Sequence, residues 1–413
     1  MLRCLAPCQE KNCTVFDRFC FRGEGLSSFV FGALDSSKNS RIVWRFRKHP
    51  SSRLFSTKSD AENSRKYIEE LVLPFLGSEF VPLPMVTLLN NHQDKTYAYS
   101  QLCNMTIPNC FADNSTNSPD LPITALEMPD LTLLPVDLPG RAPVIAVELK
   151  PKQGFKLDRS VPYCSNCLLQ MQKCNSGVYS DLYDYCPLDL FSGDLSRMKT
   201  ALRSLMQIPH NNLRIFQDGQ LVFSQEQQQG ASSLEKLEKT LFPLDDATLE
   251  QFLEFLSRIL SGSTSLLDPF QLKSDSILGR LLAAQKLDRM GVCAANEAHK
   301  NLPTSVSCQL ANAYCLLGPD MKAKLADLYD YLLAATLKDC SIMVALKIMP
   351  SAGDWPMIPT DLLTFDRFVY RISVIDLDAK PAAKLQANAR RYLEGVQLSG
   401  QYQASRIPCH MRV

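Results

Sequence analysis

One run of residues, Val144-Ile145-Ala146-Val147-Glu148-Leu149-Lys150-Pro151-Lys152, brings a carboxylate and two ammonium groups to the end of an apolar stretch. Its first four residues, mostly β-branched, predict a buried strand. Pro151 must end that strand or lie at its edge. Side chains alternate along a strand, so Glu148 and Lys150 share a face, while Lys152 lies beyond the proline, where the period need not hold. Burying such charges is costly unless an anion compensates, and phosphate is the natural compensator. A lone Lys-Pro-Lys is more often a surface strand end with an ordinary ion pair, so the run needs support from elsewhere. The role of Glu148 stays open at this level.

Other clusters could carry chemistry too. Arg22-Gly23-Glu24-Gly25-Leu26-Ser27 places two glycines between strands, where backbone N–H groups can approach phosphates. A Gly-x-Gly between antiparallel strands is more like a kinase glycine loop than a Rossmann turn, though a plain hairpin turn also fits. Arg45 lies on the following strand, where kinases carry a phosphate-neutralising cation; a snorkelling surface arginine is the alternative. Lys338-Asp339-Cys340-Ser341 closes a helical stretch and precedes the apolar Ile342 to Leu346. An aspartate there must be solvated, paired or metal-bound. Asp376 follows the apolar Val374-Ile375 and shares a strand face with Asp378; such acids suit magnesium, or a cap or a surface. Asn211, Asn212 and Arg214, with Lys173 upstream, could recognise phosphate or hydroxyl groups, or form a turn with a surface charge. Cys164-Ser165-Asn166-Cys167 has a spacing that permits zinc, but a structural site needs four ligands. The nearest partners in sequence, Cys174 and Cys186, are irregularly spaced, and Cys293, His299, Cys308 and Cys315 form a looser group.

These residues need a scaffold, and the composition supplies one. The chain has 413 residues, 46% of them hydrophobic, enough for more than one compact unit. Net charge is +1, from 44 basic and 43 acidic residues, so no global field favours nucleic acid or a membrane surface. No stretch approaches the ~18 apolar residues of a membrane span, and the first residues lack the apolar core of a signal peptide. The 15 scattered cysteines fit a reducing intracellular compartment, cytoplasm or nucleus. Phe29-Val30-Phe31 and Ile42-Val43-Trp44 predict a strand pair, Asp60 to Leu76 a helix ending at Gly77, and Ile123 to Met128 another strand. Polar residues from Asn104 to Pro122 read as a loop. Beyond Lys152, helical spacing recurs over Leu195–Met206, Leu249–Leu260, Leu278–Met290, Met321–Leu337 and Ala382–Leu393, with a strand at Arg371–Asp376.

Taken in order, the motifs resemble the inositol-pentakisphosphate 2-kinase family, which is similar in fold to the inositol polyphosphate kinases and distantly to protein kinases. The resemblance rests on Arg-Gly-Glu-Gly at 22–25 and Val-Glu-Leu-Lys-Pro-Lys at 147–152 with Gly154-Phe155. It continues through Cys-Pro-Leu-Asp-Leu-Phe-Ser-Gly at 186–193, Asn-Asn-Leu-Arg-Ile-Phe at 211–216, Lys-Asp-Cys-Ser-Ile-Met at 338–343 and Asp-Leu-Asp-Ala-Lys-Pro at 376–381. It spans about residues 17 to 395.

The resemblance implies a two-lobed α/β (α+β) fold. A smaller lobe over 1–130 carries an antiparallel sheet and the glycine loop. A larger lobe over 131–413 includes a helical inositol-phosphate subdomain from about 160–214 and 255–337. The implied reaction moves the γ-phosphate of ATP, with magnesium, to the 2-hydroxyl of inositol 1,3,4,5,6-pentakisphosphate, giving the hexakisphosphate. Arg22 and the loop Gly23, Glu24, Gly25, Leu26 and Ser27 would cover the ATP phosphates and Arg45 would contact them. Glu127, Met128 and Asp130 would form the hinge that holds adenine. Lys150 would bridge the nucleotide phosphates and the transition state. Lys152, Lys173, Asn211, Asn212, Arg214 and Lys380 would bind substrate. Asp339 would orient or deprotonate the hydroxyl close to magnesium, and Asp376 would bind that ion. Lys384 and Asn388 stand where some members have arginine and tyrosine. The 104–122 loop lacks a lobe-bridging arginine, and the zinc ligands of some members are not cleanly reproduced, which leaves Cys164 and Cys167 as candidate ligands. A silent inositol-phosphate-binding scaffold of the same fold, or a kinase of broader specificity, are the competing expectations. The chain is expected to act as a monomer, without nucleic acid or membrane insertion.

Overall fold

The computed structural model describes residues 19–24, 28–35, 40–47, 57–89, 123–225, 234–243, 247–303, 320, 325–350, 357–402 and 406–409. The chain divides into two compact units, 1–69 with 82–131 and 70–81 with 132–413.

The first unit is built on strands β1 (Phe19–Glu24), β2 (Ser28–Asp35), β3 (Ser40–Arg47), β4 (Met85–Leu89) and β5 (Ile123–Pro129). They form one antiparallel sheet in the order β1-β2-β3-β5-β4. The β1–β2 register shifts between Phe21 and Gly23, which makes Arg22 the extra residue of a bulge and re-aims its side chain. Helix α1 (Lys58–Tyr67) packs on β4 and β5. It starts in a capping box, the Thr57 hydroxyl accepting from the Asp60 N–H and the Asp60 carboxylate accepting from the Thr57 N–H. Arg47 Nη1 donates to Ser64 Oγ at 2.9 Å and ties β3 to this helix.

The single helix expected over Asp60–Leu76 is instead three pieces. After α1 the chain widens into a π-turn at Ile68–Val72, then closes as α2 (Leu73–Leu76), with Gly77 at φ 86°. Pro74 cannot donate to a carbonyl one turn back, and the π-turn absorbs that mismatch. Residues 70–81, placed in the smaller lobe by the sequence reading, belong to the second unit. There Arg280 Nη1 donates to the Leu76 carbonyl at 2.9 Å, and the Val374 N–H to the Phe80 carbonyl at 2.7 Å.

The second unit contains, in chain order, β6 (Val144–Leu149), α3 (Ser165–Asn175), α4 (Pro187–Leu190), α5 (Leu195–Gln207), β7 (Leu213–Gln217) and β8 (Gln220–Phe223). There follow α6 (Leu234–Leu241), α7 (Leu249–Ser261), α8 (Ile277–Gln285), α9 (Gly291–Lys300), α10 (Ala326–Asp339), β9 (Ser341–Ile348), β10 (Leu363–Phe365), β11 (Phe368–Ile375) and α11 (Leu385–Leu398). The sheet is antiparallel in the order β10-β11-β9-β6-β7-β8. Every residue of β9 is buried, and so is β6 after Val144. Being covered on both faces, they read as continuous apolar runs rather than alternating ones. On α7, Phe255 stacks on Phe368 of β11 at 4.1 Å between centroids and meets Tyr370 edge-on at 5.5 Å.

Two helical expectations change. The stretch Leu278–Met290 is α8 alone, because Asp288 Oδ1 takes the N–H groups of Met290 and Gly291 and turns the chain into α9. Helix α3, not anticipated, begins at the Cys164–Cys167 motif. The Asn104–Pro122 loop of the sequence reading, and Cys308 with Cys315, lie outside the described residues.

Phe255 is 1% exposed, and Phe255→Ala should cost about 3–5 kcal/mol, read from the urea midpoint at unchanged slope. A loss under about 1 kcal/mol would contradict its place at the sheet–helix contact.

Candidate active site

The lysine pair is delivered by the end of β6 and fixed by a short, fully engaged loop. The Lys150 N–H donates to the Asn212 carbonyl at 2.9 Å, extending the pairing with the β7 side. The Pro151 carbonyl accepts from Tyr185 Oη at 2.7 Å. Gln285, with no exposed surface, holds the rest: its Nε2 donates to the carbonyls of Lys152 (2.9 Å) and Leu337 (3.1 Å), and its Oε1 accepts the Gly154 N–H (2.8 Å). A Cβ on Gly154 would stand 2.4 Å from the Phe191 ring, so only glycine lets the loop pass there. Lys152 adopts φ 61°, the left-handed region, at a cost of about 1–3 kcal/mol. These four tethers sustain it.

The acids arrive from two other elements. Asp339 is the last residue of α10, and Asp376 follows the last residue of β11 with φ 60°. That turn ends the strand period, so Asp376 and Asp378 do not continue one strand face. Because β9 lies between β6 and β11, with Leu149 opposite Ile342 and Ile375 opposite Ser341, the three ends converge. Lys150 Nζ lies 3.0 Å from Asp376 Oδ2. Lys152 Nζ lies 3.0 Å from Asp339 Oδ1, and Lys380 Nζ 2.7 Å from Asp339 Oδ2. Ser341 Oγ stands 3.0 Å from Glu148 Oε1 and 3.3 Å from Asp376 Oδ2, and its one proton serves either acceptor. Glu148, buried in the strand, also faces Arg214 Nη1 at 3.7 Å. The carboxylate left open by the sequence thus anchors the strand end through Ser341 and Arg214.

Burial and a helix C-terminus both disfavour a carboxylate at Asp339. The ammonium groups of Lys152, Lys380 and Lys150 override them and hold Asp339 well below the usual carboxylate range. Burial lowers the Lys150 pKa, but Asp376 and Asp339 more than offset it and the net shift is upward. Lys152 goes the other way: burial, with repulsion from Lys150 and Lys173, outweighs Asp339 and lowers it. Lys173 is lowered by burial and by Arg391. The cluster is therefore short of negative charge.

The remaining sequence candidates fall in two groups. In the second unit, Lys173 Nζ donates to Tyr179 Oη at 2.8 Å. Asn211 and Arg214 are exposed, but Asn212 is buried and its Nδ2 donates to Tyr183 Oη at 2.7 Å, which makes it a support for the turn. Lys384 is exposed on the 3-10 turn Ala382–Lys384. In the first unit, Arg45 Nε donates to Ser28 Oγ at 3.1 Å. Met128 pairs with Val43, and the Glu127 carboxylate accepts from Trp44 Nε1 (2.9 Å) and Thr87 Oγ1 (3.1 Å). Arg22 Nη2 pairs with the buried Asp130 at 3.3 Å. Gly23 and Glu24 end β1, while Gly25, Leu26 and Ser27 lie outside the described residues.

Sequence reasoning missed Ser341, Gln285, Arg391 and the Tyr179–His210 pair. Arg391 donates to Asn388 one turn earlier on α11, so the position read as a lost tyrosine instead holds an arginine in place. His210 stacks on Tyr179 at 3.7 Å and is pushed down to about 4 by burial and by Lys173, which keeps the ring neutral beside the cations. Only Ser341 carried a signal, its adjacency to Asp339; the others depend on tertiary packing. Of the cysteines, Cys164, Cys167 and Cys186 come together with Cys409, and Cys174 is not among them.

Asp339 ionises at lower pH in the folded chain than an ordinary aspartate does, whose pKa is about 3.9, so its charge stabilises the fold above about pH 4 and that contribution is lost as pH falls through the folded value. Asp339→Asn should therefore be less stable than the parent at pH 7, with the gap narrowing below about pH 4. A gap independent of pH would exclude the ion pairs as its source.

The family model described as inositol-pentakisphosphate 2-kinase matches residues 21–391. An inositol-pentakisphosphate 2-kinase of Danio rerio is 27% identical over 439 residues, covering 87% of this chain and 88% of that protein. One from Oryza sativa subsp. indica is 31% identical over 290 residues, 63% of this chain and 61% of its own. One from Arabidopsis thaliana is 25% identical over 384 residues, 85% of this chain and 79% of its own. A match that runs from β1 into α11, and takes in the lysine loop and both aspartates on the way, means that the chain belongs to the inositol-pentakisphosphate 2-kinase family.

Proposed function

We propose that this chain transfers the γ-phosphoryl group of ATP to the 2-hydroxyl of inositol 1,3,4,5,6-pentakisphosphate. The observation that carries the reading is the knot in which Lys150, Lys152 and Lys380 meet Asp339 and Asp376. Phosphoryl transfer asks mainly for positioning and charge neutralisation, and a pentakisphosphate asks for a dense set of cations. Lys152, Lys173, Lys380 and Arg214 supply them for substrate, with Asn211 and Arg391 as exposed or half-exposed neighbours. Lys150 neutralises the transferred group. Arg22, Arg45, the Gly23 to Ser27 glycine motif and the 127–130 strand end serve the nucleotide.

The carboxylates are the second half of the reading. In the free chain both Asp339 oxygens are occupied by lysines, which makes it a weak base. Substrate phosphates compete for Lys152 and Lys380, and each lysine they capture raises the basicity of Asp339. The carboxylate then orients the hydroxyl and takes its proton as the new O–P bond forms and the bond to the departing ADP breaks. The side chains of Asp339 and Asp376 are 47% and 37% exposed, and their hard oxygens fit a magnesium ion that keeps phosphate and water ligands. Bound there, magnesium would neutralise charge on the transferred phosphoryl.

An assay with ATP, magnesium and the pentakisphosphate should yield hexakisphosphate. Asp339→Ala should lower turnover by roughly 10²–10⁴-fold with little change in nucleotide affinity. A parent chain that binds both ligands without turnover would make the silent scaffold the correct reading. Lys152→Ala should raise KM for the inositol phosphate more than that for ATP; equal effects on both would remove it from the substrate side.

A further inference from the structure

Two helices of the second unit bring cations together without acids to match them. Helices α3 and α11 pack along one another. Their backbones come close at Gly395, where a Cβ would stand 2.6 Å from the Leu168 carbonyl oxygen. Gln172 Nε2 donates to Glu394 Oε2 at 3.1 Å and pins the same seam. Lys173 is the next residue on α3, and Arg391 lies one turn before Glu394 on α11. The two charges sense each other: burial first, then Arg391, lowers the Lys173 pKa.

Neutral groups hold both side chains in place. Lys173 Nζ donates to Tyr179 Oη at 2.8 Å, and Tyr179 stacks on the uncharged His210. Arg391 Nη2 donates to Asn388 Oδ1. Glu394, the acid one turn on, is engaged by Gln172 and by Arg390 at 3.6 Å. Among the described residues no carboxylate forms an ion pair with Lys173, Arg391 or Lys384. A phosphate lying between Lys173 and Arg391 would replace their repulsion with attraction to both. The guanidinium retains N–H groups beyond the one given to Asn388, and its planar fork fits two phosphate oxygens. Lys384, exposed on the 3-10 turn before α11, offers only a point charge.

We infer that Arg391, together with Lys173, grips a ring phosphate remote from the reacting hydroxyl and so selects among inositol phosphates. The assignment rests on the kinase reading, in which Asp339 faces the 2-hydroxyl. Lys152 and Lys380 touch Asp339, Lys173 feels its charge without pairing, and Arg391 acts on Lys173. Phosphates at ring positions 1 and 3 flank the 2-hydroxyl and belong with the first set of cations. Those at positions 4, 5 and 6 lie across the ring, and one of them belongs to Arg391.

Arg391→Ala should raise KM for the pentakisphosphate roughly tenfold or more, with KM for ATP and the melting temperature held. Arg391→Lys should recover part of the loss, because it keeps the charge without the fork. Lys384→Ala should cost less than Arg391→Ala. Dissociation constants for tetrakisphosphate isomers, measured calorimetrically without ATP, give the decisive comparison. One isomer lacking the 4-, 5- or 6-phosphate should bind parent and Arg391→Ala alike, since the contact is already gone. Isomers lacking the 1- or 3-phosphate should still show the loss. If Arg391→Ala does not fold, Arg391→Gln takes its place in the same series. An equal loss for every isomer would make Arg391 a structural residue, and a larger loss in Lys384→Ala would move the contact there; either overturns the subsite. Turnover by the parent with every constant unchanged in Arg391→Ala sinks the subsite and leaves the kinase reading. A parent that binds with the expected dependence on Arg391 but does not turn over keeps the subsite and ends the kinase reading.

Discussion

Ammonium groups crowded at the end of a buried sheet must be given anions, and that requirement organises the second unit. Lys150 and Lys152 are two positions apart, and burial first, then repulsion from Lys150, lowers the Lys152 pKa. Neither can retreat, because the backbone between them is tethered at Lys150, Pro151, Lys152 and Gly154. Asp339 and Asp376 are brought to them by the two elements that lead into β9 and out of β11. Removing one partner from such a group leaves a charge uncompensated, which costs far more than the pair contributes.

The same requirement shows how a chain of neutral composition can gather cations at one place. With a net charge of +1, the chain offers phosphate no long-range field. It concentrates cations locally and parks its own carboxylates among them. A phosphorylated ligand exchanges one set of anions for another, so its gain is the difference between two paired states. Glu148, buried in β6, holds Ser341 and faces Arg214 beside the strand end.

Much of this was legible in the sequence. The strand before Lys150 and the helix end at Asp339 follow from short-range rules, because apolar runs and prolines act within a few residues. What escaped depends on distance along the chain. Cys409 lies 242 positions from Cys167, so no local spacing could pair them, and Cys174 looked nearer. Gln285 reads as an ordinary residue at the end of a helix, and only folding shows that its amide serves three backbone groups. Asn212 shows the reverse case: its type suggested phosphate recognition, but burial beside Tyr183 gives it a supporting role. The π-turn at Ile68–Val72 escaped because helical periodicity alone cannot show where an internal proline will be absorbed.

Strand pairing also sets the order in which the site can come into being. Lys150 and Asp376 are 226 positions apart, and Lys152 and Asp339 are 187 apart. Closing loops of that length is slow compared with forming a helix or hairpin. While the polypeptide is being synthesised, β6 and its lysines exist long before β9 and β11 arrive to cover them. A nascent chain at that stage exposes an apolar strand edge beside uncompensated ammonium groups, a natural target for chaperones or proteases. Lys150 and Lys152 therefore gain both of their acids only once β9 and β11 have joined β6 in the sheet.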